Sequence, residues 1–213
     1  MKIRVVTIDR EFGSGGADIA KRLAEQLGWK LWDQRLTHDI ARLAKCDHAQ
    51  VAQREERIDP LYYRLFKSFM RGSFEGNLGA QRLGLLDADV IFRLTQRVVQ
   101  AAAEEGQAVI VGRGAAFFLA DRSDAFHVFL YAPYEHKVRR LIKGGTESEE
   151  AARLVDTVDD DRADFIKRYF GKEWPSRRLY HMMINSQIGD EAVVRTILNG
   201  IATYEEHAAT APQ

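Results

Sequence analysis

Within six residues, Gly13-Ser14-Gly15-Gly16-Ala17-Asp18, the chain places three glycines, a hydroxyl and a carboxylate. Glycine lets a backbone take positive φ and approach a ligand closely. Val5, Val6 and Ile8 precede this turn as a β-branched run. Ile19, Ala20, Leu23, Ala24 and Leu27 follow it at helical spacing. A strand, a glycine turn and a helix N-terminus together make an anion site, because free N–H groups and the helix dipole both face the turn. The usual anion there is a nucleotide phosphate. The pattern G-x-x-x-x-G-K-[ST] is nevertheless not satisfied, since no lysine stands in the turn. Arg10 is the nearest residue able to supply that charge, with Lys21 and Arg22 further along the helix. The alternative for Arg10 is a solvent-exposed or Glu11-paired side chain.

The elements that must position these groups alternate along the chain. Lys30-Leu31-Trp32 reads as a second strand ending at Asp33, and Ala108–Val111 as a third that runs into Gly112-Arg113-Gly114. His127–Tyr131 and Met182–Asn185 read as two more. Helices are expected over 87–105, 134–143 and 190–206, and two over the charged stretch 146–170. Short, continuously apolar strands separated by helices predict a doubly wound α/β fold, a parallel sheet covered on both faces. Right-handed crossovers bring the strand C-termini to one edge, so the loops at Gly13–Gly16, Asp33, Gly112–Arg113 and Ala132–Pro133 should converge there. Residues 1–206 are expected as one domain and 207–213 as a frayed tail. Within that domain, 45–86 is an inserted helical region and 134–170 a separate helical region. The aromatics of the insert, Tyr62, Tyr63, Phe66, Phe69 and Phe74, suit packing under a loop, a homodimer surface or a substrate lid.

Lys+Arg and Asp+Glu both number 31, so the formal net charge is zero. That argues against a sequence-independent nucleic-acid binder. A single cysteine, Cys46, fits a reducing compartment and reads as an inert thiol rather than a nucleophile. The N-terminus enters a strand with no signal-peptide pattern, and no apolar run approaches a membrane span, so a cytoplasmic location is expected. His136 and His181 lack metal-ligand spacing.

Arg-Glu-Phe-Gly-Ser-Gly-Gly, Gly-Trp-Lys-Leu-Trp-Asp, Val-Ile-Val-Gly-Arg-Gly-Ala and Val-Phe-Leu-Tyr-Ala-Pro, in that order, resemble the cytidylate kinase-like family, a branch of the P-loop nucleoside monophosphate kinases. The resemblance implies a P-loop NTPase-like three-layer α/β/α fold with a helical lid at 134–170 and an acceptor region at 45–86. Cytidylate kinases read Gly-Pro-Ser-Gly-Ser-Gly-Lys-Gly-Thr in the first loop. Laid on this chain, the lysine falls on Gly16, the magnesium-binding threonine on Asp18 and the first glycine on Arg10.

By that resemblance Gly13, Ser14, Gly15, Gly16, Ala17 and Asp18 bind ATP, and Asp18 holds Mg²⁺ as a carboxylate, the alternative being a first-turn acid that favours the helix dipole. Arg113 inherits the contact to the acceptor phosphate. Asp33 binds a substrate hydroxyl or a magnesium-bound water, or else caps the next helix. Arg162, inside Asp-Asp-Asp-Arg-Ala-Asp, is the lid arginine, with Arg139 or Arg140 at the lid's base. Asn185 approaches the adenine or serves a turn. The family's cytosine-reading aspartate is Gly114 here, so no base preference carries over. Two functions follow from the resemblance and its departures. One is an ATP-dependent kinase for a nucleoside monophosphate or similar small phosphate acceptor. The other is a non-catalytic nucleotide-binding module that lost the lysine and threonine.

Overall fold

A computed structural model describes residues 2–33, 39 and 88–210. Five parallel strands form its sheet: β1 Val5–Arg10, β2 Lys30–Trp32, β3 Ala108–Val111, β4 Ala125–Tyr131 and β5 Met182–Asn185, in the order β2-β3-β1-β4-β5. β1 lies at the centre with all six residues buried. It pairs Val5 with both Ala108 and Ala125, so its neighbours run in the same direction and end at the same edge. Strands buried on both faces favour near-continuous apolar runs, which is why β3 reads Ala-Val-Ile-Val without alternation.

Helices α1 (Gly16–Leu27) and α6 (Asp190–Thr210) cover one face. There Ile19, Leu23, Val193 and Ile197 pack on Val6, Ile8, Val109 and Val128. Helix α2 (Ala88–Glu105), the short α3 (Ala115–Phe118) and the C-terminal part of α5 (Ser148–Phe170) cover the other, through Ile91, Leu94, Val98 and Phe165 against Val5 and Ile110. The result is a three-layer α/β/α fold. Burying each such Val, Ile, Leu or Phe contributes about 1.5–3 kcal/mol relative to leaving it exposed.

Helix α4 (Tyr134–Lys143) leads into α5, and here the expectation of two helices over 146–170 is corrected. α5 is one helix of 23 residues. No glycine or proline interrupts it, the Glu147 side chain caps its start by accepting from the N–H groups of Glu149 and Glu150, and Gly171 in the left-handed region ends it. Ala151, Leu154, Val155, Val158, Arg162, Phe165 and Ile166 form its buried face. Surface charge at Asp156, Asp160 and Asp161 hides that stripe in the sequence. α6 also runs past the expected end at 206, to Thr210; its Ala-Ala pair favours helix. The 45–86 insert, including Cys46 and the expected aromatic cluster, lies outside the described residues, as do 211–213. Among the described residues no helix is long and apolar enough to cross a membrane.

Candidate active site

The β1–α1 turn sits at the C-terminal edge of the sheet. Gly13 (φ 77°) and Gly15 (φ 82°) hold the left-handed conformation that the turn requires. The Ser14 hydroxyl is buried and donates to the Glu11 carbonyl at 2.8 Å, so it shapes the turn from within. Gly15 is the N-cap of α1, and no side chain caps that end. The N–H groups of the first turn therefore remain available to an anion. A cleft of about 400 Å³ opens on them, lined by residues that include Arg10, Phe12, Gly13, Gly15, Gly16, Ala17, Asp18, Arg140 and Arg162.

Gly16 departs from expectation in an informative way. Its φ is not positive, and it is the first residue of the helix. It must be glycine for a different reason. A Cβ there would come within 2.6 Å of Arg10 Cγ and 2.9 Å of Arg10 Cβ. The Arg10 stem thus lies where a side chain at position 16 would begin. At the far end of the same side chain, a Cβ on Gly112 would overlap Arg10 Nη1. Arg10 is 6% exposed and is not paired with Glu11, whose carboxylate instead meets Lys137 Nζ at 3.0 Å. It runs from the start of α1 to the end of β3, between two glycines that make room for it.

Arg113 and Arg162 join it as buried cations. Arg113 follows Gly112 with φ 57°, an unusual conformation for a side-chain-bearing residue. Burial pushes its guanidinium down to about 10, with Asp33 opposing the shift and Arg162 adding to it. Burial also lowers Arg162 to about 10, again with a neighbouring arginine, Arg10, adding to the effect and Asp159 opposing it. Both remain charged at neutral pH. Asp33 is buried and acts electrostatically on both Arg10 and Arg113. Arg162 reaches back from α5 to donate to the Arg10 carbonyl at 2.9 Å and to Asp159 at 2.9 Å. Asp159 in turn accepts from the Phe12 N–H, at 2.9 and 3.1 Å. Phe12 packs on Leu154, Val155 and Val158. Helix α5 is thereby fastened to the β1–α1 turn by both charge and apolar contact.

The rim of the cleft is built by α4. Lys137 packs its stem against Gly13, where a Cβ would come within 3.0 Å. Arg140 lies flat on Gly15: a Cβ there would overlap its guanidinium. Asp190 binds Arg140 through both oxygens at 2.8 and 2.7 Å, and Asp18 accepts a third bond at 2.9 Å. Those bonds raise the Arg140 pKa above the usual arginine value. Arg139, expected as a site residue, is exposed and does not line the cleft. One residue along a helix turns a side chain by about 100°, so Arg140 takes the inward position that sequence alone could not assign between the two.

Among the described residues no group of three or more His, Cys, Asp or Glu gathers as a metal site. Mg²⁺ in phosphate chemistry commonly takes one or two carboxylates together with phosphate and water oxygens. The Asp18 side chain, 58% exposed beside the cleft, fits that modest demand. Asn185 serves the turn, its Oδ1 accepting from the Gln187 N–H at 3.0 Å. His181 is structural, its Nδ1 accepting from the His127 N–H at 2.9 Å while its ring stacks on Phe126. Sequence reasoning missed Asp190, Lys137 and Asp159, which sit on ordinary helical faces and acquire meaning only from what they meet. It also missed Asp9, a buried residue of β1 whose carboxylate accepts from the Tyr180 hydroxyl at 2.8 Å. Burial raises the Asp9 pKa, and Tyr180 partly opposes that.

The model of the cytidylate kinase-like family matches residues 5–188. A cytidylate kinase of Pseudomonas fluorescens (strain Pf-5) is 29% identical over 181 residues, covering 74% of this chain and 78% of that protein. Among solved structures, an uncharacterized protein from Eubacterium ventriosum superposes with a TM-score of 0.67 at 22% identity, covering 95% of this chain and 99% of that one. A shikimate kinase from Acinetobacter baumannii, solved with shikimate, superposes with a TM-score of 0.52 at 18% identity over 94% of both chains. These likenesses agree with a P-loop NTPase-like fold.

Proposed function

The chain belongs to the cytidylate kinase-like family, and from there we propose that it is an ATP-dependent phosphotransferase acting on a nucleoside monophosphate or a similar small phosphate acceptor. A kinase-like activity goes with the family; the donor, the acceptor and the residue roles are this proposal's own. One observation carries it. Two arginine side chains, Arg10 over Gly16 and Arg140 over Gly15, lie against the uncapped N-terminus of α1. A helix N-terminus is electrostatically the wrong place for cations. Cations and dipole are reconciled when a polyanion lies between them.

Bound there, ATP with Mg²⁺ supplies the transferable γ-phosphoryl group. The N–H groups of Gly15, Gly16, Ala17 and Asp18, in the turn that Gly13 and Ser14 shape, hold the phosphate oxygens, while the Ser14 N–H stays on the Glu11 carbonyl. Asp18 is the carboxylate available to the cation. Arg10 stands in for the absent lysine, neutralising charge on the transferred group together with Arg162. Arg113 binds the acceptor phosphate, where a planar guanidinium suits two oxygens at once. Asp33 orients Arg10 and Arg113 and borders the acceptor side. A phosphate acceptor is already anionic, so the chain needs no general base. Catalysis then rests on positioning and electrostatics, as phosphoryl transfer generally does.

The test is ADP formation with ATP and Mg²⁺ across a panel of nucleoside monophosphates, with ATP binding followed by calorimetry on the same preparation. Turnover with at least one acceptor is expected. Binding without turnover on any acceptor would move the chain to the non-catalytic module, and absence of binding would contradict the phosphate-loop assignment itself.

A further inference from the structure

Arg140 is held by two carboxylates of different character. Asp190 grips it bidentately, at 2.8 and 2.7 Å, from a side chain 21% exposed at the first residue of α6. A helix N-terminus favours a carboxylate, so Asp190 is itself fixed in place. Asp18 makes a single contact at 2.9 Å from a side chain 58% exposed. Exposed single ion pairs are weak and exchange readily. Between these two anchors the guanidinium lies on Gly15, at the mouth of the N–H cradle. The bond to Asp18 crosses that mouth, from the α4 side to the first turn of α1.

We propose that Arg140 is a phosphate-responsive latch, with Asp190 as its permanent anchor and Asp18 as an exchangeable internal counter-ion that an incoming polyphosphate displaces. This rests on the phosphate-loop reading above and deepens it. In the free protein Asp18 does for Arg140 what a phosphate oxygen does in the complex. When a polyphosphate enters, Arg140 keeps its Asp190 bonds and trades Asp18 for the ligand. The Asp18 carboxylate is then released beside the phosphates, where an accompanying cation would need it. Asp190 acts through Arg140 and is a positioning residue.

The two aspartates give the proposal a sharp test, because each substitution to asparagine removes one negative charge beside the same guanidinium. Simple charge counting predicts that both strengthen anion binding. The latch predicts opposite signs. The probe is inorganic tripolyphosphate titrated by calorimetry without divalent metal, so that any metal role of Asp18 stays out of the measurement. Asp18→Asn should tighten binding about three- to fivefold, the fold-change set by one exposed ion pair. Asp190→Asn should weaken it about tenfold, as expected for loss of a charge-assisted anchor. In an Arg140→Gln background the gain from Asp18→Asn should vanish, a coupling that general charge effects do not produce. If Asp190→Asn does not fold, the Asp18→Asn measurements with and without Arg140→Gln decide the matter alone. Unchanged or weaker binding by Asp18→Asn, or a gain that persists without Arg140, overturns the latch. Wild-type protein that binds neither tripolyphosphate nor ATP overturns the phosphate-loop reading as well, so the two failures are distinguishable.

Discussion

The floor and the rim of the cleft use the same residue type in opposite electrostatic regimes. On the floor, burial dominates and lowers the pKa values of Arg10, Arg113 and Arg162. At the rim, the hydrogen bonds that Arg140 donates to Asp190 outweigh burial, the one to Asp18 adds to them, and the Arg140 pKa is raised. Floor arginines also work against one another, Arg113 feeling Arg162 and Arg162 feeling Arg10. Their charge is costly to hold and would be relieved by an anion. The rim arginine is already satisfied and can only exchange one partner for another. A site can thus store affinity in its floor and impose a threshold at its rim.

Substitutions separate the two regions, beginning with the largest expected effect. Arg162→Ala should destabilise the protein by about 3–5 kcal/mol in urea unfolding, because it strips a partner from Asp159 and unties α5 from the Arg10 carbonyl. Arg140→Ala, at the rim, should cost about 1 kcal/mol or less; equal losses would erase the distinction. Arg113→Ala should lower kcat/KM for the phosphate acceptor about ten- to hundredfold, the worth of a charge-assisted bond of about 1.5–3 kcal/mol, in a protein that still folds. Unchanged kinetics would remove Arg113 from the acceptor site.

Glycine substitutions sharpen the comparison further. Gly112 (φ 61°) and Gly28 (φ 66°) share a backbone conformation, but a Cβ meets Arg10 at the first and nothing within 4 Å at the second. Gly28→Ala should cost about 1–2 kcal/mol from backbone strain alone. Gly112→Ala should cost more and should also weaken ATP binding, since it displaces Arg10. Calorimetry and thermal unfolding on both read the Arg10 contact by difference. Smallest of all, Arg139→Ala should change stability by no more than about 0.5 kcal/mol and leave ATP affinity as it was, because the side chain is exposed outside the cleft.

Much of this architecture was legible in the residues. Continuous apolar runs at Val5–Ile8 and Ala108–Val111 mark strands covered on both faces, and Gly13 and Gly15 mark the turn between β1 and α1. What stayed hidden depends on who meets whom. Gly16 looks like one more flexible glycine, yet its constraint is the Arg10 stem lying above it. Arg139 and Arg140 are indistinguishable by type, and only the facing of α4 chooses between them. Asp190 belongs to none of the sequence motifs, and its role comes from α6 beginning beside the Arg140 guanidinium. Gly114 is held at φ 67°, and a Cβ there would come within 3.0 Å of the Phe170 ring, so backbone and packing both disfavour a side chain at that position.

The central claim is that the Gly13–Gly16 turn, with Arg10 in place of the missing lysine, holds the phosphates of a nucleotide. The most direct measurement is a crystal structure of the chain with a non-hydrolysable ATP analogue and Mg²⁺. The account predicts phosphate oxygens on the N–H groups of Gly15 and Gly16 and within hydrogen-bond reach of the Arg10 guanidinium. An empty turn, with the nucleotide bound elsewhere on the molecule, would contradict it.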